Sequence, residues 1–336
     1  MITAFLHEAF HRLTRAPANA PDEEGRWGAC GATLSQAVEH VIDETYPRLR
    51  IVPSYGQRLS GPVSSAFRYI DTLVEQIPEA LSCNRAAFVN DIRVNAFFSG
   101  PGQIQEVFSQ STEVRDLFRA KPDAPECWAL LCMRKTERRQ FGMQLNGDEV
   151  RKEVMQTGVS FSDHQVVSPG CTEEEARSAL KCCVFNSLLA YIRRRSKTAK
   201  EQSSEWENRR RVLRGRLRFA RNQTEALRLE EEIREVEQQL AGQSLHLHTP
   251  DDHIDFMTDV LSNPQQYVAR ENISMRLNRM GIKLDDDNTT PNCQVTLCEI
   301  RVACHEPRVA TLVRFPREEL LPHQDYLRKA DLFLAV

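Results

Sequence analysis

The stretch RRRVLRGRLRFARNQTEALRLEEEIREVEQQL, Arg209 to Leu240, decides the reading of the fold. Val212, Phe219, Ala226, Ile233 and Leu240 recur every seven residues, and Gly215, Asn222, Leu229, Val236 and Gln243 follow each by three. This is a heptad whose first series is apolar throughout and whose second is sound only in its later half. No proline occurs from 171 to 249, which favours long helices. One helix over 203–241 would span about 58 Å at 1.5 Å per residue. Such a helix must bury its apolar stripe against something. The nearest candidate is a helix starting at Thr172, folded back through a turn near Lys200–Ser204. A second option breaks at Arg221–Thr224 and folds 209–220 onto 225–240. The unbroken phase of the heptad favours the first, a coiled-coil hairpin projecting from the body.

Outward from this stretch the pattern changes. On the N-terminal side, Thr172-Glu-Glu-Glu175 reads as a capping box, with Ala176, Leu180, Val184, Leu188, Tyr191 and Ile192 on the buried face behind it. Before it, Trp128–Met133 and Gln140–Leu145 are short apolar segments on either side of the charged stretch Arg134–Arg139, read as a turn. Asn146-Gly147 is a second turn signal. Val159, Phe161 and Val166-Val167 suggest one or two further strands. The region 127–168 is thus expected to be an antiparallel meander. On the C-terminal side, Thr249-Pro-Asp-Asp252 starts a helix with Ile254, Phe256, Met257, Val260 and Leu261 as its core face. Asn263-Pro264 is read as opening another, ending at Met280. Ile282–Leu284 is a possible short strand. Gln294–Ala303 alternates as a strand, and Val309–Phe315 returns as its hairpin partner.

The first third of the chain reads as helical. Leu34, Ala37, Val38, Val41 and Ile42 share one helix face. Gly61-Pro62 is taken to open a helix with Val63, Ala66, Phe67, Ile70, Leu73, Val74 and Ile77. Shorter helices follow, capped near Asp91, at Ser99–Pro101 and at Ser111. Residues 2–13 suit a docked amphipathic helix, and 15–32 a connector. The expected fold class is therefore α+β and predominantly helical. It has a helical region over 1–120, a β meander over 121–170, long helices and a coiled-coil hairpin over 171–247, and helices with a β-hairpin over 248–336. The last of these is expected to pack with 121–170 in one small antiparallel or mixed sheet, with the hairpin inserted between the sheet halves.

Composition narrows the class. The 336 residues carry 44 Lys+Arg and 47 Asp+Glu, a formal charge of −3, with 41% hydrophobic residues. These proportions exclude a wholly disordered chain and a collagen. No apolar run approaches the ~18–20 residues of a spanning helix. His7, Glu8, His11 and Arg12 interrupt any signal-like core at the start. The ten cysteines contain no C-x-x-C pair, so reduced thiols and a cytoplasmic location are expected.

Chemistry-bearing motifs are sparse. Ser162-Asp163-His164 are consecutive and cannot converge as a relay. Cys293, Cys298, Cys304 and His305 are zinc-type ligands, but 298 and 304 lie about 20 Å apart along an extended strand. Asp285–Asn288 opens like a calcium loop, yet Thr290 and Thr296 stand where glycine and glutamate are required. Gly100-Pro-Gly102 lacks the lysine of a phosphate loop. No cofactor and no metal are therefore expected.

Charge is the informative feature. Residues 193–221 hold twelve Lys/Arg against three Glu, a net +9, whereas 225–237 hold six Glu against two Arg. The expected partner-binding residues are Arg209, Arg210, Arg211, Arg214, Arg216, Arg218 and Arg221. The reading is an interaction or scaffold protein that binds a protein partner, or itself, through 203–241. The alternative is a nucleic-acid-binding protein using the basic helix 193–221, since such a row can neutralise phosphates. A third is an enzyme with a pocket between the N-terminal helices and the sheet. An anionic membrane surface is not expected.

Overall fold

The computed structural model describes residues 26–27, 32–146, 149–220, 222–242, 247, 249–284, 293–303 and 306–322. The expected helix at 2–13, the loop at 285–292 and the tail beyond 322 lie outside them. The helices are α1 Leu34–Thr45, α2 Tyr55–Glu75, α3 Arg85–Asn90, α4 Ile92–Phe97, α5 Pro101–Gln110, α6 Thr112–Ala120, α7 Glu173–Leu217, α8 Gln223–Ala241 and α9 Pro250–Ser262. The strands are β1 Arg26–Trp27, β2 Ala32–Thr33, β3 Leu81–Ser82, β4 Glu126–Asn146, β5 Glu149–Gly170, β6 Val268–Leu277, β7 Cys293–Val302 and β8 Arg308–Pro316. Among the described residues β1 and β2 pair only with each other.

The main sheet runs β5-β4-β8-β7-β6 and is antiparallel throughout; β3 adds one parallel pair to β8. Strands from both sides of the long helices therefore share one sheet, as their order implied. The sheet curls until the turn after β6 bridges back to β5: Val159 donates its N–H to Gly281 O (2.7 Å) and Lys283 donates to Thr157 O (2.8 Å). Gly281 has φ +72°, and a Cβ there would sit 2.7 Å from Val159 O, so this close approach requires glycine.

Both sheet faces are covered. On one, Leu130, Ala310, Leu312, Ile300 and Val268 pack with α1, α2, α9 and the first half of α7. On the other, Leu131, Met133, Phe161, Leu297 and Phe315 pack with residues of α4, α5 and α6, including Phe97, Phe108 and Phe118. Burial on both faces explains why 127–133 is a continuous apolar run rather than an alternating one. The run ends where β4 leaves β8: their pairing stops at Met133.

Several expectations are corrected. The region 127–168 is one long hairpin, not a meander. Arg134–Arg139 is extended strand, paired residue by residue with Ser162–Thr157, and the chain reverses only between Asn146 and Glu149. The strand carries this charge because Arg134, Glu137, Arg138 and Arg139 are exposed, while the more buried Lys135 pairs with Glu137 (3.5 Å) and Glu299 (3.8 Å). The three register shifts each fit an extra residue on β5, near Glu153, Asp163 and Ser168, all at positive φ. α2 begins about two turns before Pro62, which lies inside it. Tertiary contacts outweigh the lost amide: Leu59 is buried, and Arg58 is held by Asp251 (2.5 Å) and Asp255 (2.7 Å). Residues 268–277 are strand, not helix. Ile273, Met275 and Leu277 alternate on the second core's side, a period-2 signal inside a stretch read as helix from its Asn263-Pro264 start.

The long helices also differ. α7 runs unbroken through Lys200–Ser204, and the reversal falls just after it, before α8. The first half of α7 is held on the body, so it cannot receive a returning helix. Asn222 caps α8 by accepting the Glu225 N–H (2.8 Å). The break lets Leu213 and Leu217 meet Leu229, Ile233 and Val236, surface that one continuous helix would leave in water. At the start of α7, Thr172 Oγ1 accepts the Glu175 N–H (3.2 Å), but the Glu175 carboxylate takes the Cys171 N–H (2.8 Å), so the box is shifted by one residue. Among the described residues Cys83, Cys127, Cys132, Cys171, Cys183 and Cys298 are free thiols, whereas Cys182 is disulfide-bonded, against the expectation of reduced thiols.

Candidate functional site

α7 is 45 residues long and spans about 67 Å at 1.5 Å per residue. Its buried residues in the body end at Ile192, and the next fully buried one is Leu213, in a small core shared with α8. That core holds Leu213, Leu229, Ile233 and Val236, flanked by Trp206, Leu217, Ala220 and Leu240. It is separate from the two cores of the body. The distal half of α7 and all of α8 thus form a helical hairpin with its own seam.

The seam decides which arginines face outward. Trp206, Leu213 and Leu217 turn toward α8, so residues about half a turn away point to solvent. Arg209, Arg211, Arg214, Arg216 and Arg218 are exposed, and Arg210, beside the seam, is half-buried. Arg221 lies outside the described residues. Arg214 pairs with Glu237 across the hairpin (2.7 Å), and the Arg209 guanidinium lies 5.7 Å from the Trp206 ring centre. The acidic α8 therefore meets the basic α7 within one chain, which takes up part of the complementarity that had suggested pairing between chains. Away from the seam, Val212 on α7 is 62% and Phe219 in the turn after it 84% exposed, with Gly215 between them and no atom near a Cβ added there. These two heptad positions stay outside the seam. Ile233 and Leu240 enter it as the heptad predicts.

The other motifs resolve into structural roles. Asp163 sits in a β5 bulge at φ 56° and accepts from Arg308 (2.7 Å) and Arg134 (3.4 Å). His164 Nε2 bonds Phe97 O (2.7 Å) and its ring stacks on Phe98; burial lowers its pKa. The two side chains thus diverge. Gln103 accepts from the N–H and hydroxyl of Ser99 at the start of α5, so this end carries its own cap. Cys298 is buried in β7, and burial pushes its thiol up. Cys304 and His305 lie outside the described residues. Among the described residues no three His, Cys, Asp or Glu side chains cluster as a metal site. A small cleft of about 30 Å³ lies between Glu79, Arg93, Thr296, Cys298 and Thr311. Arg93 there is engaged by Asp91 (2.7 Å). This cleft provides no nucleophile–base pair.

One surface was missed by sequence reasoning. Beyond Gln140, past the bridge of β5 to residues 281–283, β4 and β5 project as a two-stranded ribbon. On it Phe141 (71% exposed) lies directly across from Met155 (58%), with Met143 (67%) two residues on. The sequence carries only part of the signal: a reversal that pairs 146 with 149 sets 141 opposite 154, and the extra β5 residue near Glu153 moves it opposite 155.

No family model, curated protein or solved structure matches this chain. Among the described residues no helix is long and apolar enough to cross a membrane.

Proposed function

We propose that this chain is an interaction or scaffold protein whose partner-binding element is the α7–α8 hairpin, and that the bound partner is a protein. The observation that carries this reading is the outer face of α7. Val212 on the last turns of α7 and Phe219 in the turn just after it expose apolar surface away from the buried seam, and Arg209, Arg211, Arg216 and Arg218 flank them. Apolar centres rimmed by arginine suit helix-on-helix recognition, with the arginines selecting an acidic partner surface. Gly215 lets a partner helix approach closely, although glycine costs an exposed helix roughly 0.5–1 kcal/mol against alanine. Base stacking has less support: Phe219 is the one exposed aromatic among residues 206–220.

The test is affinity capture with the full chain beside a variant carrying Arg209, Arg211, Arg216 and Arg218 all changed to Gln. Each is done with and without nuclease. The expected result is a discrete protein retained by the native chain, lost with the variant and insensitive to nuclease. Loss on nuclease treatment would favour the nucleic-acid reading, and equal retention by both proteins would remove the hairpin from the account.

A further inference from the structure

We propose that the projecting ribbon is a self-association arm: the free edge of β4 pairs, antiparallel and about a two-fold axis at Gln140, with the same edge of a second copy of this chain. The surface is distinct from the helical hairpin and does not depend on its partner.

The first observation is a row of unpaired backbone groups. β4 pairs with β8 only from Glu126 to Met133, and among the described residues no strand covers that edge over 134–146. The direction of these groups follows from the other side of the ribbon. Thr157 O and Val159 N–H are bonded to Lys283 and Gly281, so they point away from β4. Their cross-strand mates are Arg139 and Glu137. In an antiparallel ladder such pairs turn their groups outward on both strands. The odd-numbered residues of β4 therefore present N–H and C=O to the open edge. The bulges lie on β5, so this alternation holds along the projecting part of β4. A row of this kind is completed by another strand.

The second observation is the apolar cluster Phe141, Met143 and Met155. It continues the face that carries Met133, Val159 and Phe161 in the second core, but out beyond the helices that cover that core. A second ribbon placed edge to edge sets Phe141 diagonally beside its own mate, within reach of aromatic contact.

The third observation identifies the occupant as a second copy. Charged edges ordinarily resist such pairing. The midpoint of 134–146 is Gln140, and an axis there engages the whole open edge. By position it sets Arg139 opposite Phe141, Arg138 opposite Gly142, Glu137 opposite Met143, Thr136 opposite Gln144, Lys135 opposite Leu145 and Arg134 opposite Asn146. No charge meets its like directly across the pair; the two Arg139 copies meet on the diagonal, as the two Phe141 copies do. An axis one residue earlier would set Arg139 against itself. The interface is isologous and closed, as two-fold pairing requires.

The experiment measures the mass of the full-length native chain in solution by sedimentation, across the micromolar range, together with two thiol variants. The expected result is twice the chain mass of 38.5 kDa, falling to one chain mass in Phe141→Lys, whose side chain is exposed and whose loss leaves both cores intact. Gln140→Cys places two thiols across the axis at about 4.5 Å between Cα atoms, within disulfide range, and is expected to cross-link under mild oxidation. Glu137→Cys puts its two copies about 20 Å apart along the strands and is expected not to. A monomeric native chain would overturn the proposal. So would a dimer indifferent to Phe141→Lys, or one that cross-links through 137 as readily as through 140. The hairpin capture above is read with Arg-to-Gln variants that leave the ribbon untouched, so either proposal can fail alone.

Discussion

Gly281 joins the two ends of the curled sheet through its carbonyl, which accepts from Val159 at 2.7 Å. Its φ of +72° and the Val159 O lying 2.7 Å from any added Cβ make it a position that alanine cannot take without moving backbone. Gly281→Ala is expected to cost roughly 1–3 kcal/mol, read as a lower denaturation midpoint. Histidines give a second prediction at this scale. His164, between Phe97 O and the Phe98 ring, and His253, stacked on Tyr46, both have lowered pKa values, with burial the largest cause in each. A lowered folded pKa means that the unfolded chain binds more protons in the window between the two values. The stabilisation is complete above the unfolded value of about 6.5 and is lost as pH falls through the folded values. Denaturation at pH 7.5 and 5.5 is expected to show lower stability at the acid end, with a smaller difference in His164→Gln. An unchanged difference would remove His164 from the explanation.

At the scale of elements, the α7–α8 hairpin rests on a four-residue core, Leu213, Leu229, Ile233 and Val236. Leu213→Ala removes one of four, a change that costs about 2–5 kcal/mol in ordinary cores. Because this seam is separate from the body, its loss is expected to be local: faster hydrogen exchange over 206–241, with 34–75 unchanged. Equal acceleration in both would show that the hairpin and the body unfold together. The same region shows what a sequence can convey. The seven-residue period of Ile233 and Leu240, with Leu229 and Val236, specified the seam of α8. It misplaced the reversal, because period alone cannot weigh Asn222 as a cap or the docking of 176–192 on the body. In β4, Arg134–Arg139 passed for a turn because a solvent-exposed ribbon lacks the burial that makes a strand read as one. In β6, the helix-start signal Asn263-Pro264 outweighed the spacing by two of Ile273, Met275 and Leu277, whose side faces the core. Strands with a core face on both sides, such as Leu130–Met133 and Val309–Phe315, were legible at once.

At the scale of the molecule, the −3 net charge conceals an uneven distribution. The +9 of residues 193–221 lies on and beyond the body's edge, and the α8 glutamates offset part of it through contacts such as Arg214–Glu237. What remains outward on α7 is an arginine-flanked apolar face. The β ribbon is a second projection, with its own exposed cluster at Phe141. The sequence made the first visible through composition; the second needed the register of two strands. The central claim is that a protein partner docks on the outer face of α7. Its most direct test is site-specific photo-cross-linking in the cell, with a photoreactive side chain at Phe219 and, as control, at the exposed Glu174 on the body. The account predicts a discrete protein adduct from position 219, absent from 174 and reduced by Arg216→Gln with Arg218→Gln. No adduct at 219, or an adduct to nucleic acid, would contradict it.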